Sequence, residues 1–186
     1  MPVKINASVS SGLVVDSDLT GSLQLQTGGN PAISIDSSQV VNFTKQFQIG
    51  GVLPPAFGAF GSTGTSLINN TDTKIVYDTE EFDTNNNFAS SRFTPTFAGY
   101  YQLNAVALLN VSSGVLGIML FKNGSRFKYG TQTLNTTSYA GSAVSTLVYA
   151  NGTTDYFEIF AIQSGGTATH LGGQAFNYFN GYFVRE

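Results

Sequence analysis

Tyr156-Phe157-Glu158-Ile159-Phe160-Ala161-Ile162 reads as a β-strand that is apolar on both sides. Side chains alternate between the two faces of a strand. Phe157, Ile159 and Ala161 therefore share one face, while Tyr156, Phe160 and Ile162 share the other with a single Glu. Both faces need cover. In a solitary antiparallel sandwich the outer face of each strand alternates into polar and charged residues, yet residues 129–154 and 159–184 contain no Asp, Glu, Lys or Arg. Large uncovered apolar surfaces mark interfaces. The plain alternative is a solvated face of Ser, Thr, Asn and Gly, which also populate these stretches.

Moving outward from that run, strand signals recur with turn chemistry between them. Residues 73–77 alternate, 99–109 form a long strand, and 117–122 and 126–129 flank Asn123-Gly124. That dipeptide accepts the positive φ of a tight hairpin turn. Further runs at 143–149, 156–162 and 178–184 are separated by Asn151-Gly152 and Gly165-Gly166. Many short strands at this spacing predict an antiparallel sandwich or barrel. Residues 105–121 are uncharged but broken by Asn110, Ser112, Ser113 and Gly114. They read as two strands and a turn rather than a bilayer span.

Toward the N-terminus, residues 22–26, 32–35 and 40–43 show short alternation, and Gly28-Gly29-Asn30-Pro31 supplies a turn. A segment of this size buries too little surface to fold without partners. Gly50-Gly51-Val52-Leu53-Pro54-Pro55 breaks both helix and ladder. The expected division is a stem over 1–50, a linker over 51–55 and a larger domain over 56–186.

Composition supports an all-β reading: 15 Phe, 9 Tyr and 21 Gly accompany only 8 Lys plus Arg and 11 Asp plus Glu. With a net charge of −3 and no basic patch, nothing is available to hold phosphates or anionic lipid. Nucleic acid and membrane insertion are not expected as partners. The absence of Cys removes disulfides and thiolate metal sites. The first residues lack the apolar core of a secretory signal.

Candidates for chemistry are few. His170, the single His, falls in the Gly-rich stretch 165–173 with no adjacent carboxylate to orient it, and reads as a loop histidine. Asp78, Glu80, Glu81 and Asp83 supply oxygen ligands of the kind calcium prefers. The alternative is a solvated acidic connection, and no other cofactor is indicated. A glycosidase would need two carboxyls across a cleft, and only Asp155 or Glu158 could be brought near by folding. No enzyme is expected.

The segment Phe82-Asp83-Thr84-Asn85-Asn86-Asn87-Phe88, leading into Arg92-Phe93-Thr94-Pro95-Thr96-Phe97-Ala98-Gly99-Tyr100-Tyr101-Gln102, resembles the globular head of complement component 1q and its tumour necrosis factor relatives. Leu120-Phe121-Lys122-Asn123-Gly124 and Phe179-Asn180-Gly181-Tyr182-Phe183-Val184 are similar to that family's hairpin and closing strand. The resemblance runs from Phe57 to the end. It implies an antiparallel jelly-roll sandwich that forms a homotrimer, with aromatic side chains toward the axis. Tyr101, Phe157, Phe160, Tyr178, Phe179, Tyr182 and Phe183 are the interface candidates. Residues 21–27 and 32–43 are similar to short modules of bacteriophage tail-fibre and appendage proteins.

Together these readings lead to an expectation of a trimeric structural protein of a phage virion, a head decoration, fibre or tail appendage. It would be assembled in the host cytoplasm, exposed on the particle, and docked on head or tail proteins through residues 1–50. The alternative is a dedicated adhesin for a host-surface glycan or protein, with exposed Tyr such as Tyr139 as contacts. A third reading, a polysaccharide hydrolase, has the least behind it.

Overall fold

The computed structural model describes residues 23–27, 30–35, 37–43, 53–111, 113–135, 138–166 and 168–186. The chain divides into two units, Met1–Gln48 and Ile49–Glu186. In the first, β1 (Leu23–Thr27), β2 (Asn30–Ile35) and β3 (Val41–Phe43) form an antiparallel meander. Gly51 and Val52 of the expected linker, together with Gly28 and Gly29, lie outside the described residues.

The second unit is a sandwich of two antiparallel sheets, with no helix among the described residues. Its strands are β4 (Ala56–Phe60), β5 (Ser66–Leu67), β6 (Thr73–Lys74), β7 (Thr79–Asp83), β8 (Phe88–Ala89) and β9 (Arg92–Phe93). They continue with β10 (Ala98–Val111), β11 (Gly114–Lys122), β12 (Ser125–Asn135) and β13 (Tyr139–Asn151). The last are β14 (Phe157–Ser164), β15 (Ala168–His170) and β16 (Asn177–Arg185).

Strand β10 organises the first sheet. One of its edges pairs with β13 from Ala98↔Asn151 to Asn110↔Tyr139. Its other edge pairs with β16 and, beyond that, with β15. Outward from β16 come β4 and then β7, and outward from β15 comes β5. The second sheet runs β12-β11-β14-β9-β8, with β6 also on β14. The β11–β12 hairpin turns at Asn123 and Gly124, both at positive φ (53° and 76°), as an Asn-Gly turn requires.

Alternation decides what lies between the sheets. Along β10, Tyr101, Leu103, Ala105, Ala107 and Leu109 are buried, and they meet Leu116, Ile118 and Leu120 of β11 and Phe157, Ile159 and Ala161 of β14. At one end the core is a ring cluster. Phe57 stacks on Phe93 (4.3 Å) and Phe88 (5.1 Å) and meets Phe179 edge-on (4.9 Å). Tyr101 packs edge-on against Phe93 and Phe183, and its hydroxyl donates to the Phe97 carbonyl at 2.9 Å. Such edge and offset contacts add to what area burial alone contributes.

The sequence reading needs correction in three places. Residues 73–77 are not one strand: after β6, Ile75 donates its N–H to the Ile159 carbonyl and the chain leaves the ladder. The acidic segment is not a loop, because Thr79–Asp83 is strand β7, paired with β4. His170 is not in a flexible loop either; it ends β15 and is fully buried.

Candidate functional site

The two sheets present outer faces of opposite chemistry. On the first sheet the outward positions of β10 are Tyr100, Gln102, Asn104, Val106 and Leu108. Register then places Leu147, Gln102, Tyr182 and Ala56 in one row, Ser145, Asn104, Asn180 and Gly58 in the next, and Ala143, Val106, Tyr178 and Phe60 in a third. Beyond the first row Tyr100 meets Tyr149 edge-on at 5.5 Å. Leu147, Tyr149 and Tyr182 are about half exposed, at 51%, 49% and 53%. No charged side chain occurs in β13, β10 or β4, and β16 carries only Arg185, at a corner over the Tyr100 ring.

The middle row is polar and internally connected, and Gln102 of the first row joins it. Ser145 Oγ donates to Asn104 Oδ1 (2.8 Å), and Gln102 Nε2 donates to Asn104 Oδ1 and to Ser145 Oγ (both 3.0 Å). Asn104 Nδ2 donates to Asn180 Oδ1 at 3.1 Å.

The second sheet covers the middle of its outer face, while Val115, Tyr129 and Leu134 toward β12 stand exposed. Met119 and Phe121 point outward from β11 yet are buried, and Phe160 stacks on Phe121 at 3.9 Å. Glu158 Oε1 accepts from Lys74 Nζ (2.8 Å) and Arg92 Nε (2.9 Å), leaving the carboxylate side chain 5% exposed. Burial would raise its pKa, but the hydrogen bonds from Lys74 and Arg92 outweigh it and hold the group below the usual carboxylate range. The Arg92 guanidinium also lies 3.9 Å over Tyr156, and Arg126 grips Asp72 through two nitrogens while donating to Tyr129 Oη.

These geometries sort the predicted interface residues. Tyr101, Phe157 and Phe179 have no exposed surface, and Phe183 is 9% exposed. All four belong to the chain's own core, so they are not available to another copy. Phe160 is on the second sheet, covering Phe121. Only Tyr178 and Tyr182 lie on the uncharged face. Tyr100, Gln102, Asn104, Val106, Ser145, Leu147, Tyr149 and Asn180 belong to that face and were missed. The alternation in 99–109 held the signal, but adjacent aromatics such as Tyr100-Tyr101 hide which phase points inward.

The four acidic residues do not converge. Asp78 accepts from Ser62 N (2.6 Å) and Ser62 Oγ (2.7 Å), which lowers its pKa. Asp83 accepts from Phe88 N and Asn85 N. Glu81 is bound by Gln174, and Glu80 is exposed opposite Ala59. No group of three or more metal-binding side chains exists among the described residues. The calcium expectation is therefore corrected: strand alternation and local turn bonds separate these carboxylates.

Nor do the titratable groups among the described residues assemble a catalytic set. Lys122 and Asn123 bind Asp155, and Glu158 is held by its two cations. His170 Nδ1 lies 3.0 Å from the Leu171 carbonyl, which fixes the proton there, so Nε2 accepts from Thr65 Oγ1 at 2.8 Å. Burial lowers its pKa, against the opposing pull of the Leu171 carbonyl and the Asp78 charge.

No family model matches the sequence, and no curated protein does. Solved structures do match in shape. The globular domain of zebrafish complement 1qA aligns at a TM-score of 0.51 with 15% identity, covering 71% of this chain and 99% of that one. Murine APRIL at pH 8.5 aligns at 0.54 with 10% identity, covering 71% and 100%. Eiger TNF from S. frugiperda aligns at 0.52 with 8% identity, covering 72% and 95%. The second unit therefore has the antiparallel jelly-roll fold shared by tumour necrosis factor-like and complement 1q-like domains. At these identities the likeness is one of fold, and function has to be argued from the faces.

Proposed function

We propose that this chain is a non-enzymatic structural protein that works as a homotrimer, with the outer face of the β13-β10-β16-β4 sheet as its subunit interface. One observation carries this reading: apart from Arg185 at a corner, that face has no charged side chain on its four strands and carries half-exposed Leu147, Tyr149 and Tyr182 among the described residues. Each Å² of apolar surface removed from water contributes about 25 cal/mol. Threefold closure also protects strand edges from open-ended pairing. The resemblance of the shape to tumour necrosis factor-like and complement 1q-like heads supports the same geometry.

In the proposed role the N-terminal unit anchors the trimer to the head or tail of a phage particle and the jelly roll faces outward. The support is the similarity of residues 21–27 and 32–43 to phage appendage modules. Immunogold labelling of the full chain at its C-terminus on purified particles tests it. Gold on the particle surface is expected; a chain recovered only in the soluble fraction would contradict it. A second reading, adhesion to host-surface glycan or protein, is favoured by Tyr139, which stands 55% exposed at the start of β13. Glycan-array binding that Tyr139→Ala abolishes would select it.

A further inference from the structure

We infer that the polar row Ser145-Asn104-Asn180, joined by Gln102 of the adjoining row, sets the register and number of copies in the assembly, while the apolar side chains on either side supply its affinity. The inference rests on the homotrimer reading and concerns how that face chooses its partner, a second copy of this chain. The row is a directed chain of hydrogen bonds with two unused ends. Asn180 uses Oδ1 to accept from Asn104, and among the described residues its Nδ2 has no partner. Gln102 uses Nε2 toward Asn104, Ser145 and the Leu103 carbonyl, and among the described residues its Oε1 has no partner.

One end therefore offers protons and the other a lone pair, both on the same face. Once apolar neighbours exclude water, an unpaired amide costs more than the hydrogen bond it would have made. A second copy presents the complement to each end: Asn180 of one chain can donate to Gln102 of the next, and around a closed ring every donor finds an acceptor. Apolar rows of Leu, Val and Tyr tolerate many sliding offsets, because burial is non-directional. An amide row tolerates few, as a single polar position does in coiled coils.

Native mass spectrometry and sedimentation of the full-length chain test this with two variants on outward positions. The wild type is expected as trimer alone. Asn104→Val with Asn180→Val keeps strand-forming side chains and removes the row; it should fold and still associate, but spread over dimers, trimers and larger species. A double variant that is solely trimeric overturns the inference, and so does one that is solely monomeric, since the row would then be the main source of affinity. Asn180→Asp, nearly the same shape, replaces the unused donor with a charge. It should lose the trimer at neutral pH and regain it where the carboxyl is protonated; an unaltered trimer at neutral pH also overturns the inference. A monomeric wild type would instead reject the homotrimer reading itself.

Discussion

The outer faces of the two sheets solve the problem of a second apolar surface in different ways. On the β12-β11-β14 face, Phe160 stacks on Phe121 and Glu158 beside it is held by Lys74 and Arg92, so the chain buries the middle of that face and leaves Val115, Tyr129 and Leu134 exposed at its β12 side among ion pairs. On the β13-β10-β16-β4 face, comparable aromatics stand uncovered around an amide row. A jelly roll has two outsides, and charge placement tells which one faces water. Under the homotrimer reading, the face without ion pairs is the one from which water is displaced.

The largest effect should come from placing a charge on the uncovered face. Val106, between Ala143 and Tyr178, is the natural position. Val106→Asp should weaken association by about 3–5 kcal/mol for each unpaired buried charge, more than a hundredfold in the dissociation constant. Sedimentation velocity reads this, with circular dichroism expected to stay that of a folded chain. Retained trimers would erase the distinction between the faces.

Next comes the covered face. Glu158→Gln leaves Lys74 and Arg92 without a counter-charge, and because both cations are partly exposed the loss should be about 1 kcal/mol. The melting temperature should drop while the oligomeric state stays unchanged. A change of oligomeric state would place the interface on the wrong sheet.

His170, buried behind both faces, gives a pH dependence independent of assembly. Folded His170 remains neutral where the unfolded chain takes up a proton below about pH 6.5. Stability is therefore fully present above that pH and declines as pH falls toward the depressed folded pKa. Glu158, Asp78 and Asp155, whose folded pKa values are lowered, act below the ordinary carboxylate range, a separate and more acid window. Denaturant melts at pH 7.0 and 5.5 should show the His170 decline, and His170→Gln should flatten it. A slope identical in that variant would place its origin elsewhere.

The smallest effect belongs to Asp72, which pairs with the surface Arg126. Asp72→Asn should leave both melting temperature and oligomeric state within error, as exposed ion pairs do. A clear loss would mean that this pair helps hold the covered face together.

Much of the fold was legible in the sequence because alternation and turn chemistry are local. The 117–129 hairpin with its Asn-Gly turn, the long strand near 99–109 and the closing strand near 178–184 all have counterparts in β11–β12, β10 and β16. Short pairings such as β5, β8 and β9 carry too few residues to show a period, and β7 was obscured by its acidic side chains. The candidate site was legible only in outline. Lack of charge over 129–154 pointed to a covered face, but the choice of face depends on which phase of Tyr100-Tyr101 turns inward. That is decided by Phe93 and Phe183, far apart from each other in sequence and both packed on Tyr101.

Sedimentation equilibrium of the full-length protein across a wide concentration range is the most direct test. The uncovered face predicts a dominant species of three times the 19.7 kDa chain mass, persisting on dilution into the low micromolar range. A single species of one chain mass throughout that range would contradict the account.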